Sequence, residues 1–272
     1  MIPRLRELRP AAFLCTATLV AFAAFFGVIS CTPLIEPKQP SQERLLEPDE
    51  LKQSLARRLR EFRSLRSLAS VSYKGSDGRG SFDEVILVER PSRLRLETLS
   101  SLGALAVVTA NVSEIRGLHP REGLFVRGKT TKSNLLRYTR IPLELSEITA
   151  LLMGLPPVDS DAGWEISGNS MTRKLDAGGK ETITFDSTLG VPIMWERATA
   201  TGTSQLSALF ADFFSSPAGP FPLRISFEAR ADETRLEIRY REPEINVELA
   251  ANLFSQEKPA NAKEIPIESL GR

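Results

Sequence analysis

Residues 71–88 read VSYKGSDGRGSFDEVILV and hold two apolar segments around a glycine-rich centre. Val71 and Tyr73 alternate with polar residues, and this period of two is typical of a β-strand with one buried face. The apolar residues resume after Gly80 and continue to Val88. Glycines at this density favour a tight turn, because glycine adopts the backbone angles that such turns require. Neither nucleotide-binding glycine spacing is present, so we predict a β-hairpin rather than a phosphate-binding loop.

The same pattern of short strands and turns continues towards the C-terminus. Leu94 and Leu96 alternate with charged residues, which predicts a strand with one apolar face. Short strands at intervals of roughly 8–12 residues are typical of an antiparallel sandwich or barrel. Further strands are predicted at residues 104–110, 123–126, 164–167, 171–175, 182–185, 191–198, 205–213, 223–229 and 234–240.

Three segments have a helical period instead. Apolar residues between Asp49 and Leu68 recur at spacings of three and four, which predicts an amphipathic helix. Its other face is rich in arginine, and this face is either solvated or lies on a membrane surface. A short helical turn is predicted at Lys132–Tyr138. A second amphipathic helix is predicted from Leu145, ending at Gly154 and the two prolines that follow it.

The N-terminus has the features of a secretory signal. Three arginines precede the apolar run Ala11–Ile29, and Ser30 and Cys31 follow it. A small residue followed by cysteine is similar to a bacterial lipobox, so we predict that Cys31 carries lipid and begins the mature chain. An uncleaved membrane-spanning helix is the alternative, because the run is about as long as a bilayer requires. In both cases the positive flank stays inside and the folded part lies outside the cytoplasm.

The remaining composition sets the domain plan and excludes several functions. We predict a signal peptide at residues 1–30, a proline-rich tether at 31–48, a folded domain at 49–254 and a polar tail at 255–272. The chain has 35 basic and 34 acidic residues, and residues 1–30 hold three arginines and one glutamate, which leaves 32 and 33. This balance, without a basic block, argues against a nucleic-acid partner. The only cysteines are Cys15 and Cys31, so the domain has no thiol for a disulfide, a zinc site or catalysis.

The residues give little support for an enzyme. The one histidine, His119, precedes Pro120 in a predicted turn, and no G-x-S-x-G motif is present for a serine hydrolase. Acidic pairs such as Asp83-Glu84, or Glu242 with Glu244, leave a glycosidase-type pair as the enzyme alternative. We expect a protein that is not an enzyme and that uses neither a cofactor nor a metal.

Three short motifs carry a family resemblance. They are Arg90-Pro91-Ser92-Arg93-Leu94-Arg95-Leu96-Glu97, Ser101-Leu102-Gly103, and Ile141-Pro142-Leu143 leading into Leu151-Leu152-Met153-Gly154-Leu155-Pro156. In order and spacing they resemble the LolA/LolB lipoprotein-localisation family, and they are most similar to LolB-type outer-membrane receptors. The resemblance implies a mainly β fold with helices, in which an unclosed antiparallel barrel of about eleven strands wraps around a helical lid.

The resemblance also implies a function and partners. A LolB-like protein is anchored by lipid in the outer membrane with its domain in the periplasm, and it accepts acylated lipoproteins from a LolA-like carrier for insertion into the membrane. Thr32 follows the cysteine, whereas aspartate at that position is the inner-membrane retention signal in enterobacteria, so its absence points to the outer membrane. The partners that the resemblance implies are lipoprotein acyl chains, the carrier and the membrane, and a monomer is expected.

Two sets of site residues follow from the resemblance. Leu102 corresponds to the apolar loop residue that touches the membrane, with a leucine folded back over the barrel edge as the alternative. The acyl chains would lie against apolar strand faces, although a one-residue slip in register would reverse the face, and aromatics such as Trp195 would fill the interior if they packed inwards. The candidates for the cavity wall are Val85, Leu87, Leu94, Leu96, Val107, Ile183, Phe185, Ile193, Trp195, Phe210, Ile225, Phe227, Leu236 and Ile238.

Two alternatives keep the fold and change the role. One is an envelope scaffold or sensor lipoprotein that holds protein partners. The other is a carrier or sensor for a different amphiphile. A continuous apolar cavity would favour lipid binding, and a solidly packed interior would favour the scaffold.

Overall fold

The hairpin predicted from residues 71–88 lies at the centre of a sheet of fourteen strands. The computed structural model describes residues 44–158, 163–176, 178–231 and 233–270. The strand order is β14-β6-β5-β4-β3-β2-β1-β13-β12-β11-β10-β9-β8-β7. The strands are β1 Ser64–Gly75, β2 Gly78–Glu89, β3 Arg93–Ser100, β4 Gly103–Ala110, β5 Glu114–His119, β6 Leu124–Lys129, β7 Glu165–Ser167, β8 Ser170–Lys174, β9 Lys180–Phe185, β10 Pro192–Ala198, β11 Ser204–Ser216, β12 Gly219–Ala229, β13 Thr234–Ile245 and β14 Lys263–Pro266.

Neighbouring strands are antiparallel, except that β14 runs parallel to β6. The two edge strands β14 and β7 do not pair with each other, so the curved sheet is unclosed. The helices in the described ranges are α1 Pro48–Glu61, α2 Lys132–Thr139 and α3 Leu145–Leu152. These features confirm the predicted fold class, with three more strands than the resemblance implied.

The core lies on one face of the sheet, between the strands and the three helices. In β1, Leu65, Ala69 and Val71 are buried at alternate positions, as the period of two predicts. Large aromatic side chains fill the interior beside β10, β11 and β12. The fully buried aromatics are Phe62, Trp195, Phe210, Phe221 and Phe227.

Helix α1 is shorter than the sequence predicted. It begins with Pro48, a residue suited to the first turn, and ends at Glu61 rather than Leu68. Leu65 fits the helical period, but its backbone belongs to β1, where it pairs with Val88 on one side and Ile245 on the other. Long-range strand pairing on both sides therefore overrides the local helical pattern.

The segment predicted as a loosely held polar tail is instead packed on the sheet. Strand β14 pairs with β6, and Ile267 is fully buried. A methyl group on Gly128 would overlap with Ile267, so the glycine permits this close approach. Just before this segment, Leu249 and Phe254 form a small cluster with Leu87 on the other face of the sheet.

The predicted tether also reaches the domain before residue 48. Leu46 is buried, its backbone nitrogen donates to Asn169 Oδ1 at 2.8 Å, and Asn169 donates back to the Arg44 carbonyl at 2.9 Å. Cys15 and Cys31 lie outside the described residues. Within residues 44–158, 163–176, 178–231 and 233–270, no helix has the length and apolarity to span a membrane.

Candidate ligand cavity

A cavity of about 270 Å³ lies between the central strands and helices α2 and α3. Apolar side chains make up most of its wall, with β1, β2, β3 and β13 on the sheet side. Its volume is close to the lower end of the range for small-molecule sites, roughly 300–1,000 Å³. The apolar residues of the wall include Val71, Phe82, Leu96, Ile141, Ile148, Leu152, Leu236 and Ile238.

Strand register arranges the sheet side of the cavity in rows. The outermost row pairs Tyr73 with Leu236, next to the β1–β2 turn. The next row contains Val71, paired with Phe82 and Ile238. Each row is about 7 Å from the next, because two residues separate side chains on the same face. The cavity therefore extends inwards from the end of the sheet that carries the β1–β2 turn.

The two lid helices are held by side-chain contacts at their ends. The Thr131 hydroxyl accepts from the Asn134 backbone nitrogen at the start of α2. The Thr149 hydroxyl of α3 donates to the Pro91 carbonyl at 2.8 Å. At the end of α3, the Leu152 carbonyl accepts from the Tyr240 hydroxyl at 2.8 Å. These bonds place the apolar face of α3 opposite the strand rows.

Glu84 is the one carboxylate among the described residues that line the cavity. It follows Phe82 on the same face of β2, in the row of Ala69 and Thr98. The Thr98 hydroxyl donates to Glu84 Oε1 at 3.2 Å. Burial raises the pKa of Glu84 to about 7, although the bond from Thr98 opposes the shift. The inner end of the cavity thus holds a carboxyl group that is protonated below neutral pH.

This burial predicts a pH-dependent stability. Between the ordinary pKa of 4.5 and about 7, the unfolded chain has released the Glu84 proton while the folded chain keeps it. The free energy of unfolding therefore falls through that range and levels off above it. We expect Glu84→Gln to remove this pH-dependent loss of stability, which is on the order of 3 kcal/mol. The variant should therefore become more stable relative to the wild type as the pH rises from 4.5 to 7.5.

Urea unfolding of both proteins at several pH values measures this difference. The control is Glu237→Gln, which changes a partly exposed carboxylate paired with Arg239 on the outer face of the sheet. A stability difference for Glu84→Gln that is the same at pH 4.5 and 7.5 would contradict the prediction.

The mouth of the cavity is cationic. Arg137 and Arg140 of the α2 segment, together with Tyr73, line both the cavity and an adjoining cleft of about 510 Å³. Arg140 has a left-handed backbone with φ of 58°, and its guanidinium lies over the Tyr73 ring, 5.4 Å from the centroid. Its Nη1 atom is 2.9 Å from Asp77 Oδ2, and Asp77 also accepts from the Tyr73 hydroxyl. Arg137 Nη1 donates to the Leu270 carbonyl.

The fourteen predicted wall residues divide into four groups. Leu96, Leu236 and Ile238 line the cavity. Leu94, Ile183, Phe185, Trp195, Phe210, Ile225 and Phe227 are buried in the main core, outside the lining of this cavity. Val85 and Leu87 lie on the opposite face of β2, against the Leu249 cluster, and Val107 and Ile193 belong to neither the cavity lining nor the main core.

Leu102 lies at the tip of the β3–β4 turn, and 84% of it is exposed. It is not folded back over the edge of the sheet. Because successive turns of an antiparallel meander alternate between ends, this turn is at the same end as the β1–β2 turn and the cavity mouth. The Arg121 guanidinium donates to Ser100 Oγ at 2.7 Å and supports the turn from the β5–β6 side.

Sequence reasoning missed the polar residues of the cavity. It considered Asp83 and Glu84 only as a glycosidase-type pair, but Asp83 is paired with Arg241 and Glu84 lines the cavity. The alternation of Phe82, Glu84 and Ile86 was the available signal, because it places the carboxylate in an apolar row. His119 ends β5 rather than lying in a loop, and its Nε2 is 3.1 Å from the Tyr138 hydroxyl. No group of three or more potential metal ligands occurs among the described residues.

Comparison with known proteins places the fold. The sequence alone matches no protein-family model and no curated protein at a significant level. A domain from Vibrio parahaemolyticus named for outer membrane lipoprotein sorting is similar in structure, with a TM-score of 0.51 and 8% identity over 75% of this chain and 97% of that one. A DUF1329 family protein from Desulfovibrio piger has a TM-score of 0.53 and 10% identity, over 76% and 97% of the two chains. A LolA superfamily protein from Nitrosomonas europaea has a TM-score of 0.50 and 12% identity, over 75% and 97%. At these identities the likeness concerns the fold, and it confirms the LolA/LolB-like fold predicted from the sequence motifs.

Proposed function

We propose that this protein binds lipid acyl chains in its cavity and delivers them to a membrane. The observation that carries the proposal is an apolar cavity that opens at the same end of the sheet as the exposed Leu102. An acyl chain costs about 0.8 kcal/mol for each methylene exposed to water, so transfer between membranes needs an apolar shelter.

More specifically, we propose that the protein is a lipoprotein receptor of the outer membrane. Cys31 would carry the lipid anchor, and the residues between it and Arg44 would connect the domain to the bilayer. The acylated lipoproteins would arrive on a LolA-like periplasmic carrier. Support comes from the lipobox-like sequence and from the fold shared with the Vibrio parahaemolyticus domain named for lipoprotein sorting.

An envelope scaffold or sensor is the second candidate, and one observation favours it. Buried aromatic side chains occupy the half of the sheet formed by β10, β11 and β12, so the cavity is confined to the other half. A protein that carried several acyl chains at once would need more space than about 270 Å³. The two candidates are distinguished by whether lipid enters this cavity.

A transfer assay with Leu102→Glu tests delivery. Burial of a leucine in a bilayer stabilises contact by roughly 1.5–3 kcal/mol, so we expect the variant to deliver a lipidated substrate to liposomes at least tenfold more slowly. Folding should be unchanged, because Leu102 is 84% exposed.

The matched control is Val112→Glu, which changes an 80% exposed residue in the β4–β5 turn, at the other end of the sheet. This control should deliver at the wild-type rate. Equal rates for all three proteins would remove the role of the Leu102 turn, and a wild type that neither takes up nor delivers lipid would support the scaffold.

A further inference from the structure

The polar residues of the cavity are distributed unequally between its two ends. The mouth carries Arg137, Arg140 and Tyr73, and Glu84 lies towards the inner end. The rest of the lining is mostly apolar, with Thr98, Tyr138 and Thr139 as its other polar residues. A ligand that fits this arrangement has a hydrocarbon body and one polar end.

The guanidinium groups lie where the apolar cavity meets the polar cleft. Arg137 and Arg140 line both spaces, and the cleft adds the hydroxyl side chains of Ser76, Ser133 and Thr234. Guanidinium and hydroxyl donors bind carboxylate and phosphate groups well. At about 510 Å³ the cleft has room for such a headgroup beside the cavity.

Two carboxylates already neighbour these arginines. Asp77 is bound to Arg140, and Glu268, whose pKa is lowered chiefly by a hydrogen bond from Asn134, also feels the charge of Arg137. Each guanidinium nevertheless has five N–H donors in a planar fork. A ligand anion can therefore share Arg140 with Asp77, and it would do so more readily if the Asp77 charge were removed.

Glu84 sets the orientation of the ligand. Two polar side chains share the row of Glu84. Thr98 donates a hydrogen bond to Glu84, and the Tyr240 hydroxyl donates to the Leu152 carbonyl. The cavity wall around this row is mostly apolar. A ligand anion at that end would lose its hydration in a largely apolar place, and above neutral pH it would also meet the ionised Glu84. The chain end therefore points inwards and the headgroup remains at the mouth.

We propose that the cavity binds a single-chain amphiphile with an anionic headgroup, whose chain lies along the apolar rows and whose carboxylate or phosphate lies between Arg137 and Arg140. This inference rests on the acyl-chain binding proposed above and adds the number of chains and the charge of the headgroup. A volume of about 270 Å³ limits the occupant to one chain.

Binding of palmitate, palmitoyl lysophosphatidate and neutral monopalmitin to the purified protein tests the proposal, at concentrations below those at which each ligand self-associates. We expect both anionic ligands to bind at least tenfold more tightly than monopalmitin at low salt. Arg140→Gln should lower the affinity for both anions five- to tenfold and change that for monopalmitin less than twofold. Asp77→Asn should raise the affinity for both anions. Arg79→Gln, at an exposed position near the same turn and outside the cavity lining, should bind as the wild type does.

The outcomes separate the two proposals. Equal binding of charged and neutral ligands, with the same effect of Arg140→Gln on both, would overturn the headgroup inference and leave acyl-chain binding intact. Failure of all three palmitoyl compounds to bind would overturn both. If Arg140→Gln does not fold, an Asp77→Asn protein with unchanged or weaker affinity for the anions overturns the inference by itself. Acetate and inorganic phosphate should not compete with palmitate, and competition by either would identify a bare anion site instead.

Discussion

Replacement of Glu181 by alanine should lower the free energy of unfolding by roughly 3–5 kcal/mol. The Glu181 carboxylate is completely buried, and it accepts hydrogen bonds from Arg173 on β8 and from Arg197 on β10. The Nη2 atom of Arg197 also donates to Glu147 of α3 at 2.8 Å, so the carboxylate links three strands to a lid helix. Without it, two largely buried guanidinium groups would lose their shared anion, and burial of such a charge is costly.

Urea unfolding measures this effect through the tryptophan fluorescence, since Arg173 and Arg197 stack on Trp164 and Trp195. The matched control is Glu237→Ala on β13, which breaks a half-exposed pair with Arg239 and should cost less than about 1 kcal/mol. Similar losses in the two variants would show that the buried network contributes no more than a surface ion pair.

Filling the cavity should strongly weaken lipid binding while the fold is kept. Leu96→Phe and Ile238→Phe each place a larger side chain on the cavity wall, from β3 and from β13. We expect each to weaken binding of a fluorescent fatty-acid probe at least tenfold, because the chain and the added ring compete for about 270 Å³. Overpacking should cost the protein itself about 1–3 kcal/mol, which a domain of this size tolerates.

The control for the filled cavity is Arg235→Phe, which adds a ring at an exposed position of β13, away from the cavity lining. It should bind the probe as the wild type does. Undiminished binding by both cavity variants would place the lipid elsewhere on the protein and would contradict the assignment of the site.

The sequence predicts the class of fold because strand patterns are local. The alternation in residues 71–88 and the turns that follow gave the antiparallel order, and the helical period of residues 145–152 gave α3. Two strands were missed for different reasons. β5 is only six residues long, with a glycine at its centre, and β14 exists only through its pairing with β6. Pairing at such a distance along the chain leaves no local pattern.

The site was less predictable because a cavity is a property of packing. Trp195 and Leu96 are both apolar residues on inward strand faces, yet Trp195 is fully buried in the core and Leu96 lines the cavity. The difference depends on which helix covers each strand, and no period in the sequence contains that information. Val85 and Leu87 were assigned to the wrong face, because residues 85–88 form a continuous apolar run in which the alternation is hidden.

The pairing of β1 with β13 has a consequence for how the domain is made. Leu65 meets Ile245 in this ladder, so the two halves of the sheet join only through partners that are far apart in the chain. Closing so long a loop is entropically costly and makes such contacts form late. The cavity has walls on both sides of this junction, from β2 and β3 on one side and β13 on the other. A nascent chain that emerges N-terminus first therefore has no shelter for a hydrocarbon until its last long strand has docked.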